Sequence, residues 1–584
     1  MFQRLRRYMA RNLSEYIFGT LATLLYAGFF VTLPILTGWC VQGITEGAPI
    51  HEMMKRCGAL AAVAVGRSAV RFVSRLRIFN SAREIEFQLR NDLFAHLQRL
   101  PQSFYASWRT GDLMSRCVND LTSVRLMLGP GVLSVVQTPI IFAATIIAMV
   151  SMDPKLALLV LLPYPLFLLV SRTFGRAMHQ SNLAVQTGLA DLGSQLQESI
   201  SGIAVVKAYA MEDTVQQRFG EISQELYRRQ IRAVRVNASM PAVAGTLPLL
   251  GMCLIFWVGG HEVLDGRMSI GQFFTFAMFN YELTFPAFIM GWVFTLVQRG
   301  TASMQRIDEV LSTEPSIADR EDAASIDSLQ GGIEFRNLSF RYPGEGREPA
   351  LRDLSLRVAP GTVLGVVGPV GAGKTTLASL IPRLYEVQDG TLFLDGVDVN
   401  RIPLRTLRSN IAMVPQDSFL FSMSLAENVA YGLGETDLQR VEEAAERAQL
   451  AKDVAELPDA YQTVVGERGV MLSGGQRQRA ALARALALDP RILILDDTLS
   501  AVDAETEAAI QAGLREVFAG RTVVVVASRV STVRDADHIV VLDGGRIVEQ
   551  GSHASLVAAG GLYARLAREQ EREEELAHLE EATP

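Results

Sequence analysis

Apolar residues fall into two regimes along this chain. Up to about residue 300 they form six long stretches, at about 15–40, 54–77, 131–152, 155–173, 241–263 and 269–296. Beyond that they shrink to short runs set among glycines and charges, such as "VLGVV" and "RILILDD". A helix needs roughly 20 apolar residues to cross the ~30 Å hydrocarbon core of a bilayer, so the six stretches predict six spans. The first lacks a small-residue cleavage site and reads as a retained helix, not a leader. Two long connections, "SAREIEFQLRNDLFAHLQRLP" and "LADLGSQLQESISGIAVVKAYAMEDTVQQRF", keep helical periodicity with mixed charge, so the spans beside them extend beyond the membrane. Arginines crowd those connections and the N-terminus (Arg4, Arg6, Arg7, Arg11), which places both in the cytoplasm, together with the second half.

The second span carries Arg67, Arg71 and Arg75 four apart, on one helix face. A charge at mid-membrane is costly and faces a cavity or a partner. Two readings stay open: an anion-attracting cavity wall, or snorkelling and pairing with a carboxylate such as Glu282 of the sixth span.

Composition narrows the picture. At 584 residues, 49% of them apolar, the chain exceeds one compact domain and is too apolar for an ordinary soluble enzyme. Its net charge of −7 gives no support to nucleic-acid binding. The four cysteines (Cys40, Cys57, Cys117, Cys253) are scattered, which argues against a zinc site or disulfide framework. The acidic run "EREEELAHLEE" reads as a solvated helix.

The second half carries the chemistry. In "GVVGPVGAGKTT" an apolar strand opens through Gly368, Gly371, Ala372 and Gly373 into Lys374, Thr375 and Thr376. Glycines at that spacing let backbone N–H groups curl round phosphates, the lysine supplies a point charge, and the Thr375 hydroxyl suits Mg²⁺. The companion strand "RILILDD" ends in Asp496, placed to hold the same Mg²⁺ shell. Between them, "MLSGGQRQR" offers Ser473, Gly474, Gly475 and Gln476 at a helix start, a second phosphate cradle. Two cradles in one chain suggest that the second serves a nucleotide bound on another copy.

These motifs resemble those of an ATP-binding-cassette (ABC) transporter: Walker A at 368–375, LSGGQ at 472–476 and Walker B at 492–496. With six preceding spans, nearly the whole chain is similar to a half-transporter of the exporter family that includes lipid flippases and multidrug exporters. The resemblance implies an α-helical membrane domain with six transmembrane helices (1–310), a linker (311–330), an α/β P-loop ATPase domain (331–570) and an acidic tail (571–584). It implies ATP and Mg²⁺ as cofactors, a bacterial inner-membrane setting, and a dimer sandwiching two ATPs. It also makes Tyr342 the adenine-stacking aromatic, Gln416 the Q-loop glutamine touching Mg²⁺ and water, and Asp503 a residue of the loop crossing the dimer interface. "VVGERG" (464–469), "WRTGDLMSRCVNDL" and "VVKAYAMEDTVQQRF" match the segments that couple the two domains.

Two positions depart from the family pattern, and both belong to hydrolysis. Asp497 stands where the family has its catalytic glutamate, and Ser528 where it has the switch histidine. Aspartate is one methylene shorter, and misplacing a base by ~1 Å costs about 10²-fold. Serine lacks the protonatable donor of an imidazole. The expectation is a heterodimer: this chain's own Walker site retains ATP, and its intact LSGGQ completes the fast site of a second half-transporter that keeps the glutamate and carries a degenerate signature. Membrane lipids and an amphipathic drug, lipid or peptide are the other expected partners. Rival readings are a homodimer using Asp497 as base, and a subunit that binds ATP to gate a partner without pumping.

Overall fold

A computed structural model describes residues 2–324, 326, 328–344, 348–466, 469–498 and 517–581. The chain divides into two compact units, Met1–Leu97 with Gly111–Ser312, and Gln98–Thr110 with Thr313–Pro584.

The first unit is helical. Its principal helices are α1 (Leu13–Thr45), α2 (Ile50–Leu97), α3 (Thr110–Met152), α4 (Pro163–Ser201), α5 (Glu212–Leu254) and α6 (Ile270–Leu311). Among the described residues, α1, α2 and α3 are long and apolar enough to cross a membrane, and shorter apolar helical stretches lie at Pro154–Pro165 and Pro248–Leu264. With 48 residues, α2 is about 72 Å long at 1.5 Å per residue, more than twice the hydrocarbon thickness. α2 is thus longer than a bilayer-spanning helix needs to be. α3 is helical throughout but loosens into wider π turns at Arg116–Asp120 and Met127–Gly131, the second containing Pro130, as helices do where a proline breaks the hydrogen-bond ladder.

Water-driven burial supplies little attraction between helices in lipid, so close packing of small residues and interhelical hydrogen bonds take over. Gly19 of α1 lets α2 approach: the Ser74 hydroxyl donates to the Gly19 carbonyl at 3.0 Å and lies 2.7 Å from the Thr23 hydroxyl. Gly38 of α1 and Gly271 of α6 meet backbone to backbone, and a Cβ on either would collide with the other's carbonyl. Thr275 caps this crossing by donating to the Gly271 and Pro34 carbonyls at 2.9 and 3.3 Å. Toward the other ends of α1, α3 and α6 polarity returns: Arg306 donates to Asp120 at 2.9 Å, Arg116 to Glu309 at 2.9 Å, and Glu15 pairs with Arg77 from the middle of α2 at 3.1 Å.

The second unit is α/β. Its strands are β1 (Ile333–Phe340), β2 (Leu351–Val358), β3 (Val363–Val367), β4 (Leu392–Leu394), β5 (Val397–Asp398), β6 (Ile411–Val414), β7 (Ile492–Asp496), β8 (Thr522–Val526), β9 (His538–Asp543) and β10 (Arg546–Gly551). One sheet runs β2-β1-β4-β5 and is antiparallel. The other runs β10-β9-β3-β8-β7-β6, parallel except for the β10 edge.

Strands β7 and β8 are buried on both faces, which is why they read as unbroken apolar runs instead of alternating ones. Alternation still assigns each residue to a side. Leu493, Leu495, Val523 and Val525 belong to one core, and Ile492, Ile494, Val524 and Val526 to the other. Register fixes the height of the loops: Val366 of β3 and Asp496 of β7 are both level with Val526 of β8. The segments leaving β3 and β7 therefore emerge side by side at the carboxyl edge of the sheet, where open α/β sheets bind ligands.

Candidate nucleotide-binding site

From Val367 the chain turns through 368–373 into helix α7 (Lys374–Leu380). The turn requires glycine. Gly368 and Gly373 have φ of +153° and +98°, where an L side chain is strained. A Cβ on Gly373 would lie 2.7 Å from the Ala350 carbonyl oxygen, and one on Gly368 would strike the Leu542 carbonyl. The result is a tight backbone cradle that fits a phosphate chain. Lys374 Nζ folds over it, donating to the Gly368 and Pro369 carbonyls at 2.7 and 3.1 Å. Those neutral contacts are ones a phosphate anion would outcompete.

Asp496, the last residue of β7, is 1% exposed, and the Thr375 hydroxyl donates to its Oδ1 at 3.1 Å. A hard cation takes its ligands from such a hydroxyl–carboxylate pair, so these two residues suit Mg²⁺. Burial pushes the Asp496 carboxyl above the usual carboxylate range, opposed by the Thr375 bond and by Lys374. Burial also holds the Lys374 ammonium below the usual lysine range, opposed by Asp497 and Asp496. Both charges are thus under strain that a bound polyanion and its cation would relieve together.

Asp497 is arranged differently. It takes the left-handed region at φ +47°, and its N–H donates to the Val526 carbonyl at 2.8 Å. Its carboxylate accepts from the Ser528 hydroxyl at 3.3 Å and the Ser528 N–H at 3.4 Å, with Gln416 Nε2 at 3.5 Å, the outer limit of hydrogen bonding. Asp497 and Ser528, the two positions expected from the sequence to depart from the family pattern, are therefore in contact with each other. A residue that sequence reasoning missed holds them: Gln570, on helix α9 (Leu562–Glu581), donates to the Ser528 carbonyl at 2.9 Å and accepts from the Val530 N–H at 2.6 Å. Nothing local in the run "AREQERE" signals that contact.

The Tyr342 hydroxyl lies 2.9 Å from that of Thr376, and its ring meets Phe340 and Tyr385 edge to face at 5.0 and 5.1 Å. Ser473 opens helix α8 (Gly474–Ala487) as its N-cap. Gln476 completes a capping box, its N–H donating to the Ser473 hydroxyl at 3.2 Å while its side chain accepts from the Ser473 N–H at 2.9 Å. The Gly474 and Gly475 amides stay at the open first turn. Arg479 clamps the helix through a two-pronged pair with Asp453 at 2.8 and 2.9 Å, a contact the sequence did not announce because 26 residues separate the partners. An open cleft of about 440 Å³ lies between Gln416–Leu420 and Met471–Gln478. Asp503, with Glu467 and Arg468 of the "VVGERG" segment, lies outside the described residues.

A glycine cradle, a lysine and a threonine–aspartate pair at the carboxyl edge of a parallel sheet define a P-loop nucleotide-binding domain. Here the same chain carries a bundle of membrane-length helices. The family model of the ABC transporter transmembrane region matches residues 16–286, and that of the ABC transporter matches 351–500. A multidrug resistance-like ATP-binding protein of Escherichia coli (strain K12) is 33% identical over 98% of this chain and 97% of its own length. An ATP-dependent lipid A-core flippase of Syntrophus aciditrophicus (strain SB) is 36% identical over 84% of this chain and 81% of its own. The solved structure of a bacterial Atm1-family ABC exporter with ATP bound superposes with a TM-score of 0.75 at 27% identity, covering 97% of this chain and 98% of that one. The chain belongs to the ABC transporter family. It is a membrane protein with the exporter fold, a helical membrane domain followed by an ABC nucleotide-binding domain, and ATP-driven transport is the activity of that family.

Proposed function

We propose that this chain is one subunit of a heterodimeric exporter that moves amphipathic molecules out of a bacterial cytoplasm across the inner membrane. Six spans would carry the N-terminus, the long helical extensions and the nucleotide-binding domain on the cytoplasmic side. Lys374, Thr375 and Asp496 would hold ATP and Mg²⁺, with Tyr342 against the adenine and Gln416 near the γ-phosphate. The bound cation supplies charge neutralisation to the phosphates. Ser473, Gly474 and Gly475 would close over the nucleotide of the partner. Val370, 97% exposed, and Met471, 77% exposed, stand bare beside the two phosphate-binding segments, as a sandwich of two cassettes requires.

The observation that carries the asymmetric reading is the contact between Asp497 and Ser528. A base that works on water must direct its carboxylate at the water that attacks the γ-phosphate. Here the shorter acid engages a serine hydroxyl, and neither residue supplies the charged donor of an imidazolium. ATP retention at this site, with hydrolysis at the partner's, follows.

The test is native mass spectrometry of the complex purified from its own membrane, followed by ATP-driven flux in vesicles. A second, non-identical half-transporter with a Walker B glutamate is the expected result. A pure dimer of this chain that hydrolyses ATP would assign the base to Asp497 and sink the asymmetric reading. A complex that binds ATP but moves no amphiphile would favour a gating subunit.

A further inference from the structure

The fold brings two of the four scattered cysteines together. Cys40 of α1 and Cys57 of α2 carry free thiols, and their side chains are hydrogen-bonded to each other. Cys40 is buried and Cys57 is exposed. Their sequence neighbours meet as well: Arg56 donates to the Trp39 carbonyl at 2.8 Å, and its guanidinium stands 4.7 Å over the Trp39 ring. One turn further along α1, Gly43 leaves room for the Arg56 guanidinium and the Met53 thioether, both of which a Cβ there would strike.

Register makes this meeting a property of the helix pair. Residues 46–49 join α1 to α2, and so short a connection makes the helices antiparallel. Thr23 and Ser74 lie opposite each other, their hydroxyls 2.7 Å apart. Cys40 comes 17 positions after Thr23, and Cys57 comes 17 positions before Ser74. Both cysteines therefore lie at one level, about 26 Å further along the pair at 1.5 Å per residue. Gly38, where α1 meets α6 backbone to backbone, is two residues from Cys40.

Depth decides the chemistry open to the pair. Cys40 lies about 8 Å before the end of α1, and Cys57 about 10 Å after the start of α2. Trp39 and Arg56 flank them, residue types that gather toward the membrane–water interface. With the N-terminus cytoplasmic, as proposed above, the 46–49 connection faces the opposite side. Disulfides form and persist in that compartment, whereas cytoplasmic thiols are kept reduced.

We infer that Cys40 and Cys57 become an extracytoplasmic disulfide, a modification that makes the outer ends of α1 and α2 one body and fastens α2 beside the Gly38 crossing. The oxidant is an external disulfide. The thiolate of the exposed Cys57 attacks one sulfur of that disulfide and expels the other as a thiolate. The Cys40 thiolate then attacks Cys57 Sγ, the Sγ–Sγ bond forms, and the second sulfur of the oxidant leaves. The two cysteines give up two electrons and two protons, which the oxidant takes up as two thiols. The inference rests on the proposed orientation only for the side on which the oxidant acts.

The experiment uses the full complex in its own cells. They are quenched in acid, which halts exchange by keeping thiols protonated, and the free thiols are capped with one maleimide. After reduction a second maleimide caps the thiols released, and peptide mass spectrometry assigns each label. The first label is expected on Cys117 and Cys253 and the second on Cys40 and Cys57, so two of the four cysteines are protected. Cys57→Ser moves Cys40 to the first label, and Cys40→Ser moves Cys57. Reduction of the purified complex lowers its melting temperature by about 5–10 °C and leaves that of Cys40→Ser unchanged. First label on Cys40 and Cys57 of the parent overturns the inference, and that result needs no variant to fold. A peptide joining either residue to Cys117, Cys253 or another chain overturns it too, and a parent whose melting ignores reduction removes the fastening of α1 to α2. The side is read separately, by offering a charged, impermeant maleimide to reduced spheroplasts and to reduced inverted vesicles. Cys57 is expected to label in spheroplasts. Labelling in inverted vesicles alone, with the disulfide found, upholds the site and refutes the proposed orientation instead.

Discussion

Two adjacent carboxylates at one strand end have been treated differently by this fold. Asp496 is buried, bonded to Thr375 and electrostatically tied to Lys374. Asp497 is half-buried, turned into the left-handed region, and meets two exposed residues, Ser528 and Gln416, at 3.3–3.5 Å. On the function proposed above, holding a nucleotide and activating water would be separable tasks, built from neighbouring residues on different foundations. The binding side would rest on strand register and a glycine turn that tolerate no change. The hydrolytic side would rest on side-chain reach, which one methylene alters.

The contrast can be broken most directly at the hydrolytic side. With the partner's base replaced by glutamine, Asp497→Glu alone should leave turnover at this chain's site within about threefold of the parent. Asp497→Glu with Ser528→His should raise it by about 10²-fold. Single-turnover release of phosphate reads both, and a single variant as fast as the double would mean that Ser528 is no impediment. On the binding side, Lys374→Ala should weaken ATP about 10–100-fold, the range for losing a bond to a charged group. Unaltered nucleotide-dependent thermal stabilisation of that variant would remove Lys374 from the site.

Smaller effects sharpen the same comparison. A carboxyl whose pKa is raised by burial binds its proton more tightly folded than unfolded, so stability falls as pH rises through the folded pKa. Asp496→Asn cannot ionise, and it should melt about 2–4 °C above the parent at pH 7 without nucleotide. That advantage should fade as pH falls toward 4, and the ATP–Mg²⁺ stabilisation should be gone. A lower melting point at pH 7 would show that Asp496 is stabilising by itself. The smallest expected change is in Gln570→Ala, which deletes two hydrogen bonds to the Ser528 loop and should cost about 1–2 kcal/mol in denaturant unfolding. No loss there would make the α9 contact incidental.

Much of this was readable along the chain because it is written in short segments. The phosphate loop, Asp496 and the capping box at Ser473 each depend on residues within a few positions of one another, and continuous apolar runs announced the long apolar helices α1, α2 and α3 and the buried strands. What could not be read depends on separation. The pairs Asp453–Arg479 and Gln570–Ser528 join residues 26 and 42 positions apart, and no local period encodes them. The arginine stripe was visible as a spacing, but the spacing fitted both a cavity wall and an ion pair. The fold supplied Glu282 to Arg67 alone and left the other two arginines unmatched by a carboxylate among the described residues.

The Gly38–Gly271 crossing has a mechanical consequence. Two backbones in contact cannot slide or separate there without leaving a void, so relative motion of α1 and α6 reduces to rotation about that point. Glu282 lies about 16 Å along α6 from the fulcrum. A turn of only about 10° would carry it about 3 Å, as far as the 3.0 Å that joins it to Arg67. The glycine contact thus works as the pivot of a lever whose long arm makes or breaks the Arg67–Glu282 ion pair.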